Sequence, residues 1–257
     1  MDAVYHEQQQ CRCCGLHAVN NLLQLRPHSA GYLSAAEANS IAESLFYEDC
    51  ETSLVHGHQG ARRLGPAQCA YWVRHMLKPC LTPYRSAFPC FSGDYDIQVL
   101  SEALRRRRCA FVGHWMVSPA AVSESMENLR RGLEELISYR QRQKGFNAEL
   151  CGFIVNRPTW FGGRHWYALV SPNVNPTSRW ILSDSINPSP VPLMQAVTGL
   201  DDHSTGVDID AVARHLQQQL VHCHRRAPFC GWARVWHVFA VAQAGSSEAD
   251  GLTIGAM

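Results

Sequence analysis

The sequence predicts an α+β domain, on three observations. Apolar residues recur at helical spacing early in the chain, at Leu16, Val19, Leu22 and Leu23 and again at Ala38, Ile41, Ala42 and Leu45. Short β-prone runs bounded by Gly, Pro, Asn and Ser follow in the second part. No repeat or linker separates the two parts, so helices and an antiparallel meander of about five or six strands are expected to share one core. A chain of 257 residues with 46% hydrophobic content can bury it as one domain, expected over 1–243 with a flexible tail over 244–257.

Composition narrows the setting. A net charge of +1 argues against a dedicated nucleic-acid or membrane-surface protein. No run reaches the roughly 18 apolar residues of a membrane span, and the polar N-terminus does not read as a signal peptide. Eleven cysteines without a signal peptide predict free thiols in a reducing compartment, cytoplasmic or nuclear.

In order, the first helix follows Cys14, placing that thiol at or just before a first turn. Unpaired N–H groups and the positive end of the macrodipole favour a thiolate there. Gln9, five residues upstream, can reach the same point if the chain loops, its amide donating to a developing oxyanion beside the Cys14 N–H. Ser34 reads as an N-cap with Glu37 completing a capping box, opening a second helix that ends near residues 46–47. Residues 48–66 read as a mobile loop, and 67–78 as a helix between Pro66 and Pro79. Asp94 or Asp96 caps a helix carrying Ile97, Leu100 and Leu104, with Arg105, Arg106, Arg107 and Arg108 favoured at its C-terminus by the dipole.

A strand is expected over 109–114, then a helix over 118–143 with Ser118 as N-cap and Pro119 at its first position. Its stripe of Val122, Met126, Leu129, Leu133 and Leu136 must be covered, either by the body near the cleft margin or by a partner chain. Strands over 151–155, 164–170 and 179–185 follow, with a hairpin loop at 171–178. A helix over 208–220 and a last strand over 233–241 close the domain.

The stretch His6-Glu7-x-Gln9-x(4)-Cys14-x-x-His17-x-x-Asn20-Asn21-Leu22-Leu23 resembles the opening of the Josephin family, the ataxin-type cysteine deubiquitinases. Ser92 to Leu104 is a second block of resemblance. His165-Trp166 with Ser183-Asp184-Ser185 is a third, and the order Gln, Cys, His, Asp is that of papain-like peptidases. The resemblance implies a papain-like fold in which a helical subdomain with a projecting arm packs on the sheet. It places the arm near 67–78, treats most of 118–143 as an insertion, and returns the last strand to the sheet. It also implies that Ile97, Gln98 and Trp166 contact the substrate, although Ile97 reads equally well as plain core. Where some relatives carry an aromatic residue along the substrate path, this chain has Arg107.

Cys11, Cys13 and Cys14 compete for the role of nucleophile, and spacing from Gln9 and to His17 and Asn20 selects Cys14. His165 opens a strand after a glycine turn, where an imidazole can serve as base. Asp184, across the hairpin, can accept from its second nitrogen. His17 reads as structural, and His114-Trp115 imitates His165-Trp166 without a following acidic strand. A metal knot of the clustered cysteines with His6 and His17, or one at His222, Cys223, His224 and Cys230, fits no common zinc spacing, so neither metal nor cofactor is expected. The expected activity is thiol-dependent hydrolysis at the C-terminal glycine of ubiquitin, with ubiquitin, polyubiquitin and ubiquitinated proteins as partners. The alternatives are a non-catalytic ubiquitin-binding module and a metal-binding or redox-sensing cysteine protein.

Overall fold

Helix α1 (Cys14–Leu22) is buried along its whole length, not on one face alone. The computed structural model describes residues 3–9, 13–57, 95–117, 126–141, 149–159, 164–175, 177, 179–193, 209–226 and 235–243. Burying all sides of a helix that contains His17, Asn20 and Asn21 requires partners for those side chains. Asn20 exchanges two bonds with the backbone of Leu33, donating to its carbonyl at 3.0 Å and accepting from its N–H at 2.9 Å. The Glu7 N–H donates to Asn21 Oδ1 at 2.6 Å, and Glu7 Oε2 lies 3.1 Å from His17 Nδ1. His17 is thus part of the scaffold's polar pairing.

Helix α2 (Ala35–Gly57) starts as read, the Glu37 N–H donating to Ser34 Oγ at 3.1 Å. It continues ten residues past the expected end, so the expected loop at 48–66 begins as helix. Its remainder, the arm at 67–78 and Asp94 lie outside the described residues. Helix α3 (Ile97–Arg105) is capped by Asp96, whose side chain accepts from the Gln98 N–H at 2.9 Å. The arginines at its end divide. Arg105 and Arg106 pair with Glu102 on the surface. Arg107 instead tucks inward, donating to the carbonyls of Gly31 and Ala103 and pairing with Glu37 Oε2 at 2.8 Å. It ties the end of α3 to the start of α2, beyond what a dipole argument foresees. The Glu37 carboxylate, which a capping box would turn back to the N-cap N–H, pairs with this arginine.

Six strands form one antiparallel sheet: β1 (Cys109–Val117), β2 (Glu149–Pro158), β3 (Arg164–Val170), β4 (Ile181–Ser183), β5 (Val191–Pro192) and β6 (Trp236–Gln243). Their order is β1-β6-β2-β3-β4-β5. Strands β2 to β5 form the expected meander, and the last strand returns to the sheet as the resemblance implies, entering between β1 and β2 and pairing with both. The two-residue β5 had no counterpart in the sequence reading.

Alternation along the strands sorts the interior into two clusters. Ile154, Trp166, Ala168, Val170 and Phe239 pack with α1, α2 and α3. Phe153, Val155, Tyr167, Leu169 and Trp236 pack on the other face with α4 (Met126–Gln141) and α5 (Asp210–Arg226). Gly152, at a bulge in β2, has φ +138°. A Cβ there would stand 2.1 Å from the Leu169 carbonyl and 3.0 Å from Leu22, so only glycine lets β2 pass under α1.

The apolar stripe of α4 is covered by the protein's own body, with Leu129, Leu133 and Leu136 buried against the sheet and α5. Its position differs from expectation: it lies on the face away from α1, not at the cleft margin. Residues 118–125, including Val122, lie outside the described residues. Gly132 takes its place in α4 because the Trp115 ring would meet a Cβ at 2.7 Å.

Candidate active site

Cys14 opens α1 with no acidic residue in the first turn and no side-chain cap from Cys13, so the helix start keeps its positive character toward the thiol. The sulfur is a thiol, not half of a disulfide, and the residue is only 3% exposed. The Trp166 N–H donates to its Sγ at 3.5 Å. Gly15 makes this approach possible, since a Cβ there would meet both Leu100 and Trp166 at 3.3 Å.

The residue before Trp166 is His165, the second residue of β3 and nearly fully buried. Its Nε2 lies 2.7 Å from Asp184 Oδ1. An ionised carboxylate only accepts, so Nε2 carries the proton and Nδ1 is the basic nitrogen of the neutral ring. Strand alternation assigns His165 to the side of Tyr167 and Leu169, whereas Cys14 comes from the α1 side.

Asp184 follows β4 and is buried. Its Oδ1 also accepts the Ile186 N–H at 3.1 Å, and Oδ2 lies 3.6 Å from the Arg157 guanidinium. Burial pushes the carboxyl up. The hydrogen bond and charge of His165, the Ile186 N–H and Arg157 outweigh it and hold the group below the ordinary carboxylate value. Asp184 is therefore a stable anion facing an imidazole, an arrangement that orients the ring and supports its protonated form.

The segment 3–9 connects these parts. The Gln9 N–H donates to the Ser185 carbonyl at 2.8 Å, fixing Gln9 beside the turn that carries Asp184. Glu7 gathers His17, Asn20 and Tyr32, whose hydroxyl donates to its Oε1 at 2.6 Å. Burial raises the Glu7 carboxyl, and its bonds from His17, Tyr32 and Asn20 pull it below its usual value. Of the four residues assigned to the chemistry, Cys14 is joined to the His165–Trp166 link, His165 to Asp184, and Gln9 to the neighbouring Ser185.

The three residues implied to meet substrate are spread differently. Gln98 is exposed and Ile97 half-buried at the start of α3, the latter packed against the α1-side core. Trp166 is buried, its ring 6.0 Å from Phe239. His114, the imitation of His165, stands on β1 with its Nε2 2.9 Å from His237 Nδ1, and its ring is stacked on Phe239. It has no carboxylate among its described contacts. Sequence reasoning missed Arg157, and it named His6 in the family-like stretch and the metal alternative without its contacts to Ser183 and Asn187. Arg157 is the cross-strand partner of His165, so register on β2 was the signal that could have found it.

A comparison with curated proteins finds no match. The Josephin family model matches residues 9–200, a span that begins at Gln9 and includes Cys14, His165 and Asp184. The matched span is well over half of the 257 residues, and it runs through every strand of the sheet except β6. A six-stranded antiparallel sheet with a buried cysteine-bearing helix is consistent with the papain-like Josephin fold, and the chain belongs to the Josephin family, which is known for deubiquitinase activity.

Proposed function

We propose that this chain is a thiol isopeptidase that cleaves the bond after the C-terminal glycine of ubiquitin or a ubiquitin-like modifier. The observation that carries the chemistry is the His165 Nε2–Asp184 bond at 2.7 Å beside a thiol at a helix N-terminus, which leaves Nδ1 of the same ring to serve as base. The ubiquitin assignment rests on family membership.

In this reading the Cys14 thiol gives its proton to His165 Nδ1, and the thiolate adds to the glycine carbonyl carbon. The Cys14 N–H and the Gln9 amide stabilise the oxyanion. His165 protonates the leaving lysine amine as the C–N bond breaks, and a thioester remains. Water then loses a proton to His165 and adds to the thioester carbonyl. Collapse of that adduct releases the carboxylate and regenerates the thiol. Ile97 and Gln98 would receive the extended tail of the modifier, and the covered indole of Trp166 would form a wall beside its last glycine. Ubiquitin, polyubiquitin and ubiquitinated proteins are the corresponding partners, in cytoplasm or nucleus.

Incubation with ubiquitin bearing a C-terminal electrophile, followed by intact mass, tests this. Wild type is expected to gain one ubiquitin, Cys14→Ala none, and Cys11→Ala and Cys13→Ala one each. Labelling that survives loss of Cys14 removes it as nucleophile. Tight ubiquitin binding with no labelling of wild type favours a binding module instead.

A further inference from the structure

The imidazole of His6 spans the turn that carries Asp184. Its Nδ1 lies 2.8 Å from Ser183 Oγ and its Nε2 lies 2.9 Å from the Asn187 carbonyl. A carbonyl can only accept, so Nε2 bears the proton, and in the neutral ring Nδ1 accepts from the Ser183 hydroxyl. These two partners are the residue before Asp184 and the residue three after it. Within the turn, the Asn187 N–H closes onto the Asp184 carbonyl at 2.8 Å, and the Ile186 N–H reaches its carboxylate. Those bonds give the turn its shape, but they do not fix its orientation at the end of β4. Beyond the pairing of Ser183 with Ala168 in the sheet, the described hydrogen bonds that reach 183, 185 and 187 from outside the turn come from the N-terminal segment: His6 supplies two and the Gln9 N–H the third.

That segment is itself fixed to α1. The Tyr5 N–H donates to Gln24 Oε1 at 2.7 Å and the Glu7 N–H to Asn21 Oδ1 at 2.6 Å, one on each side of His6. A rigid path therefore runs from the helix that carries Cys14, through His6, to the turn that carries Asp184.

We propose that His6 is a positioning residue for the Asp184 carboxylate, which it holds in line with His165 by clamping both ends of the 183–187 turn to α1. The inference rests on the reading of Cys14, His165 and Asp184 as the reacting groups. His6 opens the stretch that resembles the family's start and lies just before the residues that the family model matches. The other charged or titratable groups facing this carboxylate are His165 on β3, Arg157 on β2 and His215 on α5. None of them contacts the turn's backbone as His6 does among the described hydrogen bonds.

A displaced carboxylate supports the imidazolium less well, so the thiolate–imidazolium pair forms less readily. The test is the rate of Cys14 alkylation by iodoacetamide against pH, read on the Cys14 peptide by mass spectrometry. It is run for wild type, His6→Ala, His6→Gln and Asp184→Asn, each with a thermal melt. In His6→Ala the acid limb is expected to move up by roughly half a unit to one unit. Turnover of a ubiquitin C-terminal amide is expected to fall roughly 10–100-fold in kcat, with KM little changed. His6→Gln, which offers one donor and one acceptor at similar spacing, is expected to recover most of both. Should His6→Ala fail to fold, Ser183→Ala removes the hydroxyl from the other end of the same bond and should move the limb in the same direction.

An unmoved acid limb in His6→Ala (or in Ser183→Ala where that variant stands in), or a glutamine that rescues nothing, overturns the proposal even if the melting temperature falls. Asp184→Asn separates the two levels. A wild-type limb in that variant defeats the triad reading, whereas a shifted limb there with none in His6→Ala defeats the role of His6 alone.

Discussion

On the side of the sheet covered by α1, α2 and α3, the interior holds His17, Asn20 and Asn21 beside its aliphatic residues, and residues 5–9 and 32–33 reach in to pair with them. On the side covered by α4 and α5, the interior is built from Phe153, Leu133, Leu216, Trp180 and Trp236. There the indole N–H groups of both tryptophans and Nε2 of His215 have no hydrogen-bond partner among the described residues. The first side invests in directional bonds, which are worth little net stability but fix positions. The second gains from area, about 1.5–3 kcal/mol for each large side chain fully buried. The candidate site draws on both sides: Cys14 is carried by α1 on the first, and His165 shares the strand face of Tyr167 and Leu169 on the second.

If this division is real, damage to the α4 side should cost stability and leave chemistry intact. Leu129→Asp places an unpaired charge in a fully apolar cluster, at a cost of about 3 kcal/mol or more, or roughly 6–12 °C in melting temperature. Labelling of the folded fraction by the ubiquitin electrophile should keep its wild-type rate. An unchanged melting temperature together with loss of an oligomer in light scattering would reassign this helix to a partner surface.

A pair of glycines sharpens the contrast. A Cβ at Gly113 would lie 2.6 Å from Leu136 Cδ1 and 2.7 Å from the Leu136 carbonyl, so Gly113→Ala must push β1 and α4 apart. About 1–3 kcal/mol of stability should be lost with little effect on Cys14. Gly15→Ala faces only 3.3 Å contacts, with Leu100 and Trp166, and should cost less stability. It shifts the segment that bears the thiol, so its labelling rate should fall more than that of Gly113→Ala. The reverse ranking in either measurement breaks the division.

A further expected effect is a pH dependence carried by the α4 side. Burial lowers His215 from its ordinary value of 6.5 to about 4. Below about 6.5 the unfolded chain takes up a proton that the folded chain refuses, so stability falls with pH down to about 4, by on the order of 2–3 kcal/mol. Chemical denaturation at pH 7 and pH 4.5 measures it. His215→Leu should lose less stability between those two values than wild type, and an equal loss would place the acid sensitivity elsewhere.

Much of the candidate site was legible because its signals are local. Cys14 follows a fixed spacing from Gln9 and opens an apolar helical pattern, and His165 and Asp184 flank a loop of hairpin composition. The stripe of Leu129, Leu133 and Leu136 announced a buried face, yet periodicity says nothing about which side of the sheet receives it. The full burial of α1 was hidden because His17, Asn20 and Asn21 look like a solvent face until Glu7 and Tyr32 are seen to pair there. The extension of α2 through Glu48 and Glu51 carries no apolar period to announce it. The bracket made by His6 joins residues more than 170 positions apart, and no spacing rule reaches that far.

The place of β6 in the sheet has a consequence for how the protein is made. Cys14, His165 and Asp184 all leave the ribosome before residue 236, but β1 and β2 have no partner between them until β6 arrives. A nascent chain that stops short of that strand presents two open edges, each a template for pairing with a neighbouring chain. The sheet that carries the candidate site is therefore closed only once residues 236–243 are made, by a long-range pairing. On the proposed reading, the frame around the Cys14 thiol is completed by a strand made after every residue of the triad.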